Sequence, residues 1–270
     1  MDNFKRFYIF TGKGGVGKTT LSLSFCKFLE SQNKKYLYAY LDNSNIDKES
    51  HKDEVINNLL TKFNISSLGL DLVSCAKGYM AKKLGSETVA SWISKTPFFR
   101  SLINMIPGFS YVIYLGQLLE LLEADPNLII VLDSPSSGHA LTMLESTKNF
   151  SEIFQSGPIY DDTQKMISYL TSSDFLKINI ISLPTLLAIH EGKELTTELS
   201  KIHNFNIQTH VNHSLKSFAN DKLPKFLKKK IQNEQTAIEA ENISSTIPFI
   251  LNSDQGQILK DLLPSIESLV

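Results

Sequence analysis

The sequence predicts an α/β protein: a mostly parallel sheet with helices on both faces. Three observations lead there. Short runs rich in β-branched and aromatic residues recur along the 270-residue chain and are apolar on both faces, as strands covered from two sides must be. Helical patterns separate them, and strand-helix alternation of this kind builds parallel sheets. A glycine-rich loop falls directly between the first strand-like run and the first helix. In chain order, Lys5–Thr11 reads as a strand, a helix begins at Leu21, and Tyr36–Leu41 reads as a second strand. The stretch Glu54–Glu123 departs from alternation: it reads as consecutive helices, broken near Thr96-Pro97 and Ile106-Pro107-Gly108, and is expected to form an inserted helical subdomain over about 54–123. Strands are then expected at Leu128–Leu132, Lys177–Leu183, Ile207–Val211 and Thr246–Ile250. The final segment, Gln257–Val270, carries Ile258, Leu262, Leu263, Ile266 and Leu269 at helical spacing and is expected to dock onto the sheet. One domain spanning 1–270 is the expectation.

The loop holds the densest chemical information. Gly12-Lys13-Gly14-Gly15-Val16-Gly17-Lys18-Thr19-Thr20 spells G-x-x-x-x-G-K-T between a strand-like and a helix-like run. Glycines let consecutive backbone N–H groups turn inward around an anion, and the helix N-terminus adds partial positive charge. Lys18 suits the β- and γ-phosphates of a nucleoside triphosphate, and the Thr19 hydroxyl suits Mg²⁺. Gly12-x-Gly14-x-x-Gly17 also satisfies a dinucleotide-binding fingerprint, with Asp42 where a ribose-binding acid would sit. Lys18-Thr19 has no purpose in that fold, and Asp133, at the end of another predicted strand, supplies the second acid that Mg²⁺ chemistry wants. Thr11, Asp42, Asp133 and Asn212 all lie just past strand ends, where parallel sheets bind ligands.

Composition narrows the partners. With 27 basic and 28 acidic residues the formal charge is −1, so no whole-molecule field favours nucleic acid or an anionic membrane, and partners must be recognised locally. The apolar run before Thr11 is too short for a signal peptide, and a cytoplasmic location is expected. Cys26 and Cys75 have no metal-ligand spacing, and Cys26 falls on the apolar side of its helix as a core residue. The histidines other than His139 stand outside any motif. Lys225, Lys228, Lys229 and Lys230 form the densest basic run, which reads as a solvated helix face, with contact to a partner or a membrane surface as the alternative. Phe98–Leu122 is the most apolar stretch; Arg100, Asn104, Pro107 and Gly108 interrupt it, which argues against a membrane span. It suits a subdomain core, a dimer face or a groove for an apolar partner.

Lys13 narrows the family. The loop K-G-G-V-G-K-T-T resembles the deviant phosphate loop of the ATPase class that holds arsenite-pump, tail-anchored-protein-targeting, nitrogenase iron-protein, cell-division and plasmid-partition ATPases. Asp133-Ser134-Pro135-Ser136-Ser137-Gly138-His139-Ala140-Leu141 is similar to the second switch, D-T-A-P-T-G-H-T, of the arsenite-pump and targeting branch. Leu183–Glu191, Val211-Asn212, Ile247-Pro248-Phe249 and Pro107-Gly108 resemble that branch in order along the chain. The resemblance implies a homodimer in which Lys13 reaches the partner's phosphates, much as an arginine finger does. It implies that backbone and side chains of Gly14, Gly15, Val16, Gly17, Lys18, Thr19 and Thr20 hold phosphates, and that Thr19 and Asp133 hold Mg²⁺. Asp42 would orient the attacking water, Asn212 and Pro248 would flank adenine, and His139 would couple switch conformation. Three departures stand out. The first switch is Asp42-Asn43-Ser44-Asn45-Ile46 rather than D-P-A-x-N, and the C-x-x-C after the V-N pair is replaced by a lysine-bearing segment. The metalloid-binding cysteines of that branch are missing as well, so neither zinc tethering nor metalloid activation is expected.

The expectation is an Mg²⁺-dependent, ATP-hydrolysing homodimeric switch that couples nucleotide state to a protein client or membrane partner. Two alternatives stay open: a membrane- or DNA-positioning ATPase of the Min or partition type, and a nucleotide-gated scaffold with little hydrolysis.

Overall fold

A computed structural model describes residues 4–41, 51–96, 101, 105–220 and 222–270. In chain order the elements are β1 (Phe7–Gly12), α1 (Lys18–Ser31), β2 (Lys35–Leu41), α2 (His51–Lys62), β3 (Ser67–Leu70), α3 (Leu72–Leu84), α4 (Glu87–Ser94) and α5 (Phe109–Ala124). They continue as β4 (Leu128–Asp133), α6 (Ser137–Phe154), α7 (Pro158–Leu170), β5 (Leu176–Ser182), α8 (Leu186–Ile202), β6 (Ile207–Ser214), α9 (Lys225–Ala240), β7 (Ser245–Pro248), α10 (Gln255–Asp261) and α11 (Leu263–Ile266). The strands form one seven-stranded sheet in the order β3-β2-β4-β1-β5-β6-β7, and every described pairing is parallel. β1 lies in the middle, with Phe7 opposite Ile130 and Leu176.

Alternation along the central strands divides the core in two. Phe7, Ile9, Ile130 and Leu132 face one layer with α3, α5, α6, α7 and α8. Tyr8, Phe10, Tyr38, Ile129 and Val131 face the other with α1, α2 and the C-terminal helices. Successive strand side chains point to opposite faces, so continuous apolar runs are what a sheet covered on both sides requires. The C-terminal segment docks as expected: Leu262, Ile266 and Leu269 are buried against α1 and the sheet. Cys26 is fully buried, in agreement with its reading as core.

Six of the strands fall where the sequence places them. The seventh, β3, corrects the reading of Glu54–Glu123 as consecutive helices with no strand among them: Ser67–Leu70 pairs with Tyr38–Leu41 at the sheet edge. Four residues, one of them Gly69 and only Leu70 fully buried, carry too little periodicity to stand out between helices. Val112, Ile113, Tyr114, Leu115, Leu118, Leu119 and Leu122 are core, whereas Phe98, Phe99, Arg100 and 102–104 lie outside the described residues. Among the described residues no helix is long and apolar enough to cross a membrane.

A buried polar bridge ties β5, β6, β7 and the C-terminal segment together. His210, fully buried, contacts Asn179 Oδ1 through Nε2 at 2.9 Å and Ser245 Oγ through Nδ1 at 2.6 Å. Asn179 Nδ2 in turn donates to Leu269 O at 3.3 Å. Burial, and secondarily the Lys177 charge, pull the His210 pKa down to about 3. The folded state therefore keeps a neutral imidazole while the unfolded chain protonates near the ordinary value, so stability is lost as pH falls below about 6.5 and continues to fall towards 3. His210→Gln should remove up to one proton from this linkage, about 1.4 kcal/mol per pH unit in that window. Urea unfolding at pH 7 and pH 5 checks this: the variant should show a smaller acid loss than wild type, and an identical loss would contradict the assignment.

Candidate nucleotide site

β1 ends against β5 so tightly that only glycine fits at the start of the loop. Gly12 has φ +144°, and a Cβ there would sit 2.2 Å from Ile181 O. The chain then turns over Lys13–Val16 and enters α1 through Gly17, a left-handed residue with φ 94°. No side chain caps this helix start, so the N–H groups of its first turn face the loop without an intrahelical partner. Together with the exposed Gly14 and Gly15, they form a cradle of donors at a positive helix end.

Asn212 holds the cradle from behind. It is buried near the end of β6, two residues before Ser214, and its Nδ2 donates to Val16 O at 2.9 Å. A Cβ on Gly17 would lie 2.4 Å from the same nitrogen, so glycine here serves both the dihedral and the contact. His213, with φ 61°, sits in the irregular pairing that ends β6, and its ring meets Phe249 edge-on at 5.6 Å. Pro248 is at the end of β7, opposite Ser214. In this structure Asn212 therefore braces the loop, while Pro248 and Phe249 flank the same corner.

The hydroxyl of Thr19 donates to Asp133 Oδ2 at 2.6 Å, joining the first turn of α1 to the end of β4. Tyr38 OH donates to the same oxygen at 2.9 Å. Burial and then the Asp133 charge hold the Tyr38 hydroxyl well above its usual pKa, so it stays a donor. The same causes push the Cys26 thiol up, which keeps it inert. Lys18 curls back over the loop, its Nζ donating to Gly12 O at 3.1 Å and Lys13 O at 2.8 Å. Hydroxyl and carboxylate oxygens from two elements form a hard donor set suited to Mg²⁺, so these residues fit the metal that the loop implies. Thr11 Oγ1 and Ser134 Oγ, beside the loop and beside Asp133, are buried without a hydrogen-bond partner, a further sign of polar chemistry at this edge.

Lys13 points along the surface and pairs with Glu191 on α8 at 3.2 Å. Gly12, Lys13, Val16, Ser137 and Glu191 line one cleft, which brings the loop beside the start of α6. There Tyr111 OH, on α5, is hydrogen-bonded to His139 Nδ1 at 2.5 Å. Of the residues picked from sequence, the structure thus gathers 12–20, Asp133 and Asn212 at one edge; Asp42 lies outside the described residues. Sequence reasoning missed Tyr38, Glu191 and Tyr111. Only Tyr38 left a trace, as one of three alternating tyrosines, Tyr36, Tyr38 and Tyr40, in a strand beside Asp133.

A glycine loop leaving the central parallel strand, with Lys-Thr on the following helix and an acid on the next strand, is the frame of a phosphate-loop nucleotide-binding protein. The sequence profile of the anion-transporting ATPases matches residues 5–157, more than half of the chain, and the chain belongs to that family. It is 21% identical to the ATPase BagA of Mycobacterium tuberculosis over 227 residues, covering 76% of this chain and 66% of that protein. It is 28% identical to a putative arsenical pump-driving ATPase 2 of Aquifex aeolicus, over 56% of this chain and 52% of the relative. An ATPase ASNA1 homolog of Plasmodium berghei is 27% identical over 53% of this chain and 37% of that protein. The matches thus span two thirds or less of each relative's length.

Asn212→Asp would turn a buried donor into an acceptor facing Val16 O. The expected result is a loss of about 1–3 kcal/mol in urea unfolding, together with weaker nucleotide binding. A variant as stable as wild type would contradict the brace.

Proposed function

We propose that this protein is an Mg²⁺-dependent ATP-hydrolysing switch that works as a homodimer and couples nucleotide state to a partner. The Thr19 to Asp133 hydrogen bond beside an uncapped helix end carries the reading, because it pairs two metal-binding groups next to a phosphate cradle. In this reading Gly14–Thr19 backbone amides and Lys18 bind the phosphates, Lys18 leaving its loop carbonyls to do so. Thr19 and Asp133 hold Mg²⁺, which when bound neutralises phosphate charge. Asp42, assigned from sequence alone, orients the nucleophilic water. Phosphoryl transfer depends mainly on positioning and charge, so these contacts account for the catalysis the reading requires.

Support for a second copy comes from the same edge. Leu186 and Leu187 are exposed in the first turn of α8, and Leu187 precedes Glu191 by one helical turn. An apolar face thus lies beside Lys13, the residue that the family resemblance sends across the dimer. In the reading, Lys13 exchanges Glu191 for the partner's phosphates. Support for an apolar client comes from Val89 and Trp92 on α4 and from Met105 ahead of α5, three large apolar side chains that are exposed.

ATP turnover with and without Mg²⁺ tests this. Wild type should hydrolyse ATP only with Mg²⁺; Lys18→Ala and Asp42→Asn should each lower kcat about a hundredfold or more, and Lys13→Ala should lower it while leaving nucleotide binding by the monomer intact. Equal, near-zero rates for wild type and Asp42→Asn in the nucleotide-bound dimer would replace the enzyme with a nucleotide-gated scaffold.

A further inference from the structure

Beside the corner formed by His213 and Phe249 lies a second surface with a different chemistry. The 3₁₀ turn Lys216–Phe218, the start of α9 and the chain after β7 enclose a cavity of about 210 Å³. Phe218, Leu227, Ile231, Phe249 and Leu251 are among its lining residues, and all of its lining side chains are apolar. The cavity is preformed, because the buried Glu234 of α9 accepts the Leu215 N–H at 3.0 Å and pins the 3₁₀ turn to the helix. Two large apolar side chains at this surface stand in solvent: Leu251, which lines the cavity, is 80% exposed, and Phe226, next to Leu227 on α9, is 71% exposed.

Cations surround them. Residues 215–230 contain Lys216, Lys222, Lys225, Lys228, Lys229 and Lys230 against a single acid, Asp221, in a chain whose total charge is −1. All six lysines are exposed. Lys229 and Lys230 follow Phe226 at i+3 and i+4, so they share its helical face, while Leu227 and Ile231 occupy the cavity side. Their position does not serve the helix. Four lysines in the first two turns of α9 oppose its macrodipole, with no acid in the first turn and no side-chain cap.

We infer that this surface docks on an anionic lipid bilayer, with Phe226 and Leu251 entering the interface and the surrounding lysines meeting acidic headgroups. Clusters of four to eight basic residues on an amphipathic helix bind acidic membranes in this way, each contributing on the order of a kcal/mol near the surface. Phe226 lies on the lysine-bearing face of α9, so its ring can enter the interface while the long stems of Lys229 and Lys230 keep their ammonium groups at headgroup level. A bilayer suits the geometry better than an acidic peptide does, because the lysines spread around the exposed arc of α9 and the most exposed apolar groups project outward. The inference goes beyond the switch reading and does not depend on nucleotide hydrolysis.

Flotation of the full chain with phosphatidylcholine vesicles, with and without phosphatidylglycerol, tests it. Wild type should float with the phosphatidylglycerol vesicles, hardly with phosphatidylcholine alone, and progressively less as salt rises. The triple change Lys225→Gln, Lys229→Gln, Lys230→Gln should weaken binding about a hundredfold. Phe226→Ser with Leu251→Ser should abolish flotation at moderate salt, and Phe226→Ser alone should weaken it. All sites are exposed, so circular dichroism and thermal unfolding should match wild type; should the double variant unfold, the single variant and the salt series decide. Equal flotation on both vesicle types, no flotation at all, or indifference to the lysine changes would overturn the inference. Saturable binding of a soluble acidic amphipathic peptide without vesicle binding would reassign the surface to a protein partner.

Discussion

The hydrogen bond from Thr19 Oγ1 to Asp133 Oδ2, 2.6 Å long, is the contact on which the nucleotide edge depends. It joins residues 114 apart in sequence, and it can form only because β4 lies directly beside β1. That adjacency follows from two faces of apolar side chains, which force β1 into the middle of a doubly covered sheet. With β1 fixed, Gly12 must pass the Ile181 carbonyl, and the loop emerges where α1 begins. Tyr38 then completes the arrangement by donating to the same carboxylate from β2.

Much of this frame was legible because local chemistry and global topology agree. The central strands are continuous apolar runs, and the loop needs consecutive glycines before a Lys-Thr pair, so neither depends on distant information. The rest required the third dimension. Asn212 braces Val16 from 196 residues away, and an asparagine after a valine carries no sign of that partner. Lys13 suggests a long-range role, yet its ion pair with Glu191 arises from α8 packing beside the loop. Ser67–Leu70 escaped notice as a strand because an edge strand needs less apolar character than a central one. The lysines of α9 were visible as a run, but as a solvated face; Phe226 among them and the cavity behind them give the face a different meaning.

Contacts leave the loop in two directions. On one side Lys13 meets Glu191, and Ser137 shares the same cleft, with His139 hydrogen-bonded to Tyr111 of the helical layer. On the other, Asn212 holds the loop, the adjacent His213 packs on Phe249, and Phe249 packs on Phe218 at 6.3 Å. The first chain of contacts runs towards the exposed apolar face of α8 and the helices beyond; the second ends at the basic, apolar surface of α9. A change at the phosphate cradle therefore has physical neighbours on both sides through which to act, each made of a few packed side chains.

The central claim, that Thr19 and Asp133 act together on a metal-bound triphosphate, is tested most directly by ATP affinity in Mg²⁺ and in EDTA. Titration calorimetry on wild type, Thr19→Ala, Asp133→Asn and the double variant makes the cycle. The account predicts tighter binding with Mg²⁺ for wild type, loss of that advantage in each single variant, and a double variant little worse than either, since both serve one metal. Retention of the full Mg²⁺ advantage in either single variant, or strictly additive losses, would contradict it.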